Sequence, residues 1–155
     1  MTGLRRFDVK APPFETDLAR LASLTAGVPR ETGSAWSAAD LRALCQSEGS
    51  VVFTDPEICR GYLLWRILVG EAEILDLGVL TSARRQGLAS EMMAAAELAA
   101  ETAGAGRMLL EVDAGNHGAL ALYRSRGYAE MGRRPGYYLL RDGGRRDALL
   151  LVREF

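Results

Sequence analysis

The sequence predicts a mixed α/β domain, one sheet flanked by helices, on three observations. Strand-like apolar runs alternate with longer stretches of helical period along most of the chain. Turns rich in glycine, proline and Asx residues separate those runs. No internal repeat or low-complexity linker interrupts the order, apart from alanine enrichment in one helix. At 155 residues and 48% hydrophobic content the chain suits a single domain over residues 1–155, able to bury about two thirds of the surface its unfolded form exposes.

Taken in order, Pro12 and Pro13 break the N-terminal segment and a helix follows from about Phe14 to Ala26. SAWSAADLRALCQSEG predicts a second helix, capped by Ser37 and ending at Gly49. Ser50 to Thr54 reads as a strand, Asp55-Pro56 opens a turn, and Arg60 to Val69 reads as the next strand, stopped by Gly70. Ile74 to Val79 is a hydrophobic strand, and a helix runs from about Leu88 to Thr102, alanine-rich because alanine has the highest helix propensity. Leu88, Met92, Ala96, Ala99 and Ala103 form its apolar stripe, with Met92 and Met93 as core filling. Gly104 and Gly106 end that helix. Arg107 to Asp113 then reads as a buried strand and His117 to Arg126 as a short helix closed by Gly127. Two last strands, Tyr137 to Leu140 and Ala148 to Arg153, flank the turn-forming Asp142 to Gly144.

Between strand and long helix lies RRQGLA, Arg84 to Ala89. The N–H groups around Gly87, Leu88 and Ala89 have no intrahelical acceptor there, and together with the positive end of the helix dipole they suit a phosphate or pyrophosphate. Gly87 permits close approach of a ligand to the backbone, Ala89 keeps the next turn thin, and Arg84, Arg85 or Gln86 reaches further oxygens. An ordinary turn with solvated arginines fits the same residues. Neither G-x-G-x-x-G nor G-x-x-x-x-G-K-S/T is present, so a dinucleotide fingerprint and a nucleoside-triphosphate loop have no support.

A second constellation follows. Leu109, Glu111 and Asp113 share one strand face, Leu110 and Val112 the other. Glu111 is thus a carboxylate among apolar neighbours, and such a group is either paired, water-bound at a cleft, or raised in pKa; the last two suit a general base. Asn116 stands where an N-cap belongs, or binds an amide-bearing ligand. Tyr123, with Ala119 and Leu120 behind it, is either an amphipathic core residue or a proton donor at the same cleft. Trp36 and Trp65 suit the core, and Trp36, on a loop before a helix, equally suits the wall of an acceptor cleft.

These residues carry a resemblance. RRQGLA is similar to the Q/R-x-x-G-x-G/A acyl-coenzyme A loop of the GNAT superfamily of N-acetyltransferases. LEVDAGNHGALALYRSRGY, Leu110 to Tyr128, resembles the LEV-x-x-x-N-x-x-A-x-x-L-Y-x-x-x-G-F/Y segment of the branch that acetylates the N-terminal alanine of ribosomal protein S18. AWS (Ala35 to Ser37), EAEILDLGV (Glu71 to Val79) and the pair Tyr137–Tyr138 resemble further segments of that branch, so the likeness covers most of the chain from Ala35 onward.

The resemblance implies a mostly antiparallel twisted sheet of six or seven strands with about four helices, and acetyl-coenzyme A as cosubstrate without a metal. It places Arg84, Arg85, Gln86, Gly87, Leu88 and Ala89 on the pyrophosphate, and Leu77, Gly78, Val79 and Asn116 along the pantetheine arm. It makes Glu111 the base, through water, and Tyr123 the acid that protonates the leaving thiolate. Trp36, Asp76, Tyr137 and Tyr138 fall to the acceptor, a protein N-terminus, with ribosomal protein S18 the first candidate. Gly136, Leu139 and Arg146 depart from the branch, which carries asparagine, proline and glutamate there. All three lie in the acceptor half, so they bear on the amine and leave the cosubstrate residues untouched. Acetylation of a small-molecule amine, and coenzyme A binding without turnover, are the alternative readings.

A formal net charge of -1 offers no overall attraction to nucleic acid. Arg124 to Glu154 is locally basic, eight arginines against four carboxylates, which fits either an acidic partner or ribosomal RNA nearby, or plain solvation in a chain whose single lysine is Lys10. Two cysteines, Cys45 and Cys59, form no disulfide framework, and one histidine, His117, supports neither a metal cluster nor a histidine-based triad. With no run of about 18 apolar residues and no export-like stretch after MTGLRRFDVKAPP, the expectation is a cytoplasmic protein, off the membrane, monomeric or weakly dimeric.

Overall fold

Backbone pairing joins seven strands into one sheet, in the order β1-β2-β3-β4-β5-β7-β6. The computed structural model describes residues 3–155. Its elements are β1 (Arg5–Asp8), α1 (Glu15–Gly27), α2 (Ala38–Gln46), β2 (Ser50–Thr54), β3 (Gly61–Leu68), β4 (Glu71–Val79), a 3₁₀ turn (Thr81–Ala83), α3 (Leu88–Thr102), β5 (Arg107–Asp113), α4 (His117–Ser125), β6 (Ala129–Leu139) and β7 (Arg145–Glu154). All neighbours pair antiparallel except β4 and β5. That parallel pair is joined by α3, the crossover such strands require.

Each face of the sheet has its own core. Leu18, Leu21 and Leu24 of α1 and Leu41 and Cys45 of α2 pack on Val52, Tyr62 and Leu64. Leu88, Met92, Met93, Ala96 and Ala100 of α3, with Leu120 and Tyr123 of α4, pack on Leu63, Trp65, Ile74, Leu110 and Leu149 of the other face. The α2 start is a full capping box, Ser37 Oγ accepting from Asp40 N at 3.1 Å while the Asp40 carboxylate accepts from Ser37 N.

Two features of the middle strands shape everything that follows. The β4–β5 ladder covers only Glu71–Ile74 against Arg107–Leu110, so beyond Ile74 and Leu110 the two strands part. A β-bulge also falls there: Trp65 pairs with Ile74 and Leu64 with Asp76, leaving Leu75 extra. Strict alternation would turn Asp76 to the same face as Ile74, into the α3 core. The bulge reverses that phase, so Asp76 lies opposite Leu64 on the α1–α2 face.

Several expectations needed correction. β1 was not foreseen, because four residues with one buried side chain, Phe7, carry no period to read. β6 begins at Ala129, well before Tyr137, since Gly132, Pro135 and Gly136 read as breakers. On an edge strand with bulges at Glu130/Gly132 and Arg134/Tyr138 they are tolerated. The α2 helix ends at Gln46, short of Gly49, and β4 and β7 start earlier than expected, at Glu71 and Arg145. The buried stripe of α3 is Leu88, Met92, Met93, Ala96, Glu97 and Ala100, with Ala99 only packed against it and Ala103 exposed.

Glu97 entered that stripe because two arginines neutralise it. Arg126 at the end of α4 donates to Oε1 at 2.9 Å and also to Oε2, and Arg153 of β7 donates to Oε2. Arg126 further donates to Ser90 Oγ at 3.1 Å, tying α4 to the first turn of α3. Glu97→Ala would strand Arg126, whose side chain is 17% exposed. The expected loss is about 2–4 kcal/mol, below the limit for a fully buried pair because Arg153 keeps contact with water. Urea denaturation measures it, and a loss under about 1 kcal/mol would show the cluster to be solvated surface.

Candidate active site

Where β4 and β5 part, a cleft of roughly 1370 Å³ opens between the α3 end of the sheet and the loop joining α1 to α2. At one end it is lined by Arg84, Arg85, Gly87, Leu88 and Ala89, at the other by Arg30, Glu31 and Trp36, with Leu77, Gly78, Val79, Glu111, Asn116, Tyr123 and Tyr138 between.

The first end has the form of an anion seat. α3 starts at Leu88 with no side-chain cap, and its N-cap Gly87 is left-handed, φ +83°. Arg85 is left-handed as well, at φ +62°, which for a residue with a Cβ costs about 1 kcal/mol. The uncapped first turn of α3 lines the cleft through Leu88, Ala89 and Ser90. Arg84 Nε donates back to the Val79 carbonyl at 3.1 Å and Gln86 Nε2 to the Ser82 carbonyl at 3.2 Å. Gln86 does not line the cleft, whereas Arg85 does.

Leu77, Gly78 and Val79 pair with β3 on one side, opposite Leu63, Tyr62 and Gly61, and have no ladder on the β5 side. Apart from the Val79 carbonyl, which accepts from Arg84 Nε, their outward backbone groups meet no strand. Gly78 owes its identity to Tyr62: a Cβ there would lie 2.5 Å from the Tyr62 ring, which is itself fully buried. Asn116 caps α4, its Oδ1 accepting from Ala119 N at 3.1 Å, and it also lines the cleft.

Glu111 and Tyr123 both line the cleft. Of the three states open to Glu111, the structure shows the paired one: its Oε1 lies 3.0 Å from Arg134 Nη2 of β6, with 30% of the Glu111 side chain and 51% of the Arg134 side chain exposed. So exposed a pair holds the carboxylate only lightly. Tyr123 is buried, its ring 5.8 Å from that of Tyr128. Burial first, then the charge of Asp76 and the neighbouring Tyr138, holds its hydroxyl above the ordinary tyrosine range. It stays protonated at neutral pH. The Tyr138 hydroxyl is pushed up to about 12 by burial, then by Glu111, Tyr137, Asp113 and Asp76.

The end of the cleft at the α1–α2 loop holds residues that sequence reasoning missed. Asp76 Oδ2 accepts from Arg30 Nη2 at 2.8 Å, Tyr62 Oη at 2.8 Å and Trp36 Nε1 at 3.0 Å. Trp36 thus walls the cleft while its N–H is satisfied. Arg146 spans Asp113 Oδ2 at 3.3 Å and Glu31 Oε2 at 2.9 Å, and its guanidinium lies over Gly115, where a Cβ would meet Nη1 at 1.8 Å. A glutamate here, as in the branch, would face those two carboxylates directly. Tyr138 lines the cleft but Tyr137 does not; it stands edge-on to Tyr138 at 5.1 Å beneath the Arg134 guanidinium, 5.4 Å away. Arg30 and Tyr62 gave no sequence signal, because their partners lie 46 and 14 residues away.

The locally basic C-terminal stretch is mostly paired within the chain: Arg126 and Arg153 with Glu97, Arg133 with Glu130 and Asp147, Arg134 with Glu111, Arg146 with Glu31 and Asp113. The arginine-rich run is therefore no uniform patch for an acidic partner. Both cysteines are free, Cys45 buried and Cys59 exposed. Among the described residues no helix is long and apolar enough to cross a membrane, and no cluster of three or more His, Cys, Asp or Glu side chains is arranged to hold a metal.

Comparison with known proteins agrees with this geometry. Residues 17–128 match the profile of the Acetyltransferase (GNAT) family. The [ribosomal protein bS18]-alanine N-acetyltransferase of Escherichia coli K12 is 32% identical over 91 residues, which span 59% of this chain and 61% of that protein. The crystal structure of the Escherichia coli ribosomal-protein-S18-alanine N-acetyltransferase superposes with a TM-score of 0.80 at 24% identity, over 97% of this chain and 93% of that one. Arabidopsis thaliana NAA60 in complex with acetyl-CoA superposes at 0.76 with 18% identity, over 98% and 97% of the two chains. Both structures share this fold.

Proposed function

The chain belongs to the acetyltransferase (GNAT) family, and from that premise we propose that it transfers the acetyl group of acetyl-coenzyme A directly to the N-terminal amine of a protein, in the first instance the alanine of ribosomal protein S18. The observation that supports the reading is one cleft lined by an uncapped helix start, by the β4 edge that has no ladder to β5, and by Glu111 and Tyr123. The specific substrate follows the Escherichia coli relative, whose name gives bS18 alanine as its acceptor.

In this mechanism the pyrophosphate of the cosubstrate rests on the N–H groups of Leu88, Ala89 and Ser90, with Arg85 supplying positive charge. The open backbone of Leu77 to Val79 pairs with the pantetheine amides, and Asn116 Nδ2 offers another donor. An N-terminal amine, with an ordinary pKa of about 8, loses its proton to Glu111 through a water molecule more readily than a lysine near 10.4 would. Its nitrogen attacks the thioester carbon, and the oxyanion so formed is met by a backbone N–H of the β4 end. When the C–S bond breaks, the electron pair leaves on sulfur and Tyr123 gives that thiolate its proton.

The test is acetyl transfer to an alanine-initiated peptide, followed by coenzyme A release and by mass spectrometry of the peptide, beside a panel of small amines. Cells with and without this gene, compared for the acetyl mass shift on ribosomal proteins, test S18 itself. Faster transfer to the free amines would move the acceptor class to small molecules, and tight acetyl-coenzyme A binding without any transfer would reduce the protein to a binder.

A further inference from the structure

Asp76 has a division of labour that the reaction above does not use. Its Oδ2 accepts from three side chains on two segments: Arg30 at the start of the α1–α2 loop, Trp36 at its end, and Tyr62 on β3. The β-bulge at Leu75 aims the carboxylate at this face, and Gly78 clears the space in which Tyr62 reaches it. Its Oδ1 accepts from none of the described residues and is not sealed from solvent, while Asp76 lines the cleft with 17% of its side chain exposed. A carboxylate locked through one oxygen has its other oxygen held in direction.

We propose that Asp76 is the acceptor anchor: Oδ1 receives the incoming amine as its ammonium ion and presents it beside Glu111, so the site selects acceptors that arrive protonated. This rests on the acetyl-transfer reading above and adds to it the charge state in which the acceptor is recognised. Arg30 offsets the Asp76 charge at Oδ2, and Arg134 and Arg146 likewise offset Glu111 and Asp113. What Asp76 keeps for a ligand is Oδ1, an acceptor fixed in direction inside the cleft. An ammonium ion gains a charge-assisted hydrogen bond there, and a group of the same shape without an N–H does not. Once Glu111 has taken the proton through water, the neutral amine loses its ion pair with Asp76 and is free to attack.

The experiment compares an alanine-initiated peptide with its des-amino analogue, propionyl in place of alanyl, by calorimetry on the full chain saturated with coenzyme A. At about pH 6.5 the peptide amine is mostly protonated. The expected preference for the amine is about tenfold, that of a charge-assisted hydrogen bond, and Asp76→Asn is expected to bring it close to one. Trp36 emission and the melting temperature report whether the wall survives in the variant. Trp36→Phe, which removes one Oδ2 donor and keeps the carboxylate, should retain the preference. A wild-type ratio near one, an undiminished ratio in a folded Asp76→Asn, or loss of the ratio in Trp36→Phe would each overturn the assignment. A chain that prefers the amine but acetylates nothing keeps the anchor and loses the acetyl-transfer reading. One that acetylates without preferring the amine does the reverse.

Discussion

Replacing Glu111 by glutamine is expected to lower kcat by about 10²–10⁴, the range over which a positioned general base contributes, with acetyl-coenzyme A affinity nearly unchanged. The substitution preserves the size of the side chain and removes its capacity to take a proton. It lies on β5 beyond Leu110, where the ladder to β4 has ended, so no backbone pairing to β4 depends on it. Its one ion pair, to Arg134, is half exposed and adds little to stability. The proposed pyrophosphate seat, Arg84 to Ala89, lies in the loop and first turn of α3 and not on β5. Single-turnover coenzyme A release and calorimetry with acetyl-coenzyme A separate the two quantities. Turnover within a few-fold of the parent would remove Glu111 from the mechanism.

Tyr123→Phe is expected to cost turnover by a comparable factor, about 10² or more, and again to spare cosubstrate binding. The ring sits in the α3–α4 core, and phenylalanine fills the same space. What is lost is the proton for the departing sulfur. Burial, reinforced by Asp76, makes this tyrosine harder to ionise than usual, so the parent enzyme should not lose kcat through Tyr123 as pH rises past about 10, where an unperturbed tyrosine ionises. The sign is fixed by the neutral form being the active one: a raised pKa extends activity toward alkaline pH. A thioester with a more acidic leaving thiol needs the proton less, and should recover part of the loss in Tyr123→Phe. No recovery, or unchanged turnover with acetyl-coenzyme A, would assign Tyr123 to packing alone.

Much of this architecture was legible beforehand. Helix Leu88–Thr102 and strand Arg107–Asp113 stand where the sequence put them, because amphipathic period and glycine stops are local signals. The loop before α3 was legible for the same reason: a strand end, a glycine and a helix start close together in the chain are local signals. The acceptor end was only half visible. Trp36 and Asp76 were named from the sequence, but their hydrogen bond to one another spans 40 residues, and the Glu31–Arg146 bridge spans 115. Arg146 stood out merely as a departure from the branch; its place over Gly115, between Glu31 and Asp113, gives that departure a structural context.

By itself, the order of residues determined the alternation of strands and helices, the glycine-bearing loop before α3, and the presence of a carboxylate and a phenol one strand and one helix beyond it. Tertiary structure alone decided which way Asp76 faces. One surplus residue, Leu75, reverses the alternation of β4 and moves that carboxylate from the α3 face to the acceptor face. The physical reason is that periodicity is a property of a single strand, whereas a bulge exists only between two, so its position is set by the pairing with β3 and by the parting from β5.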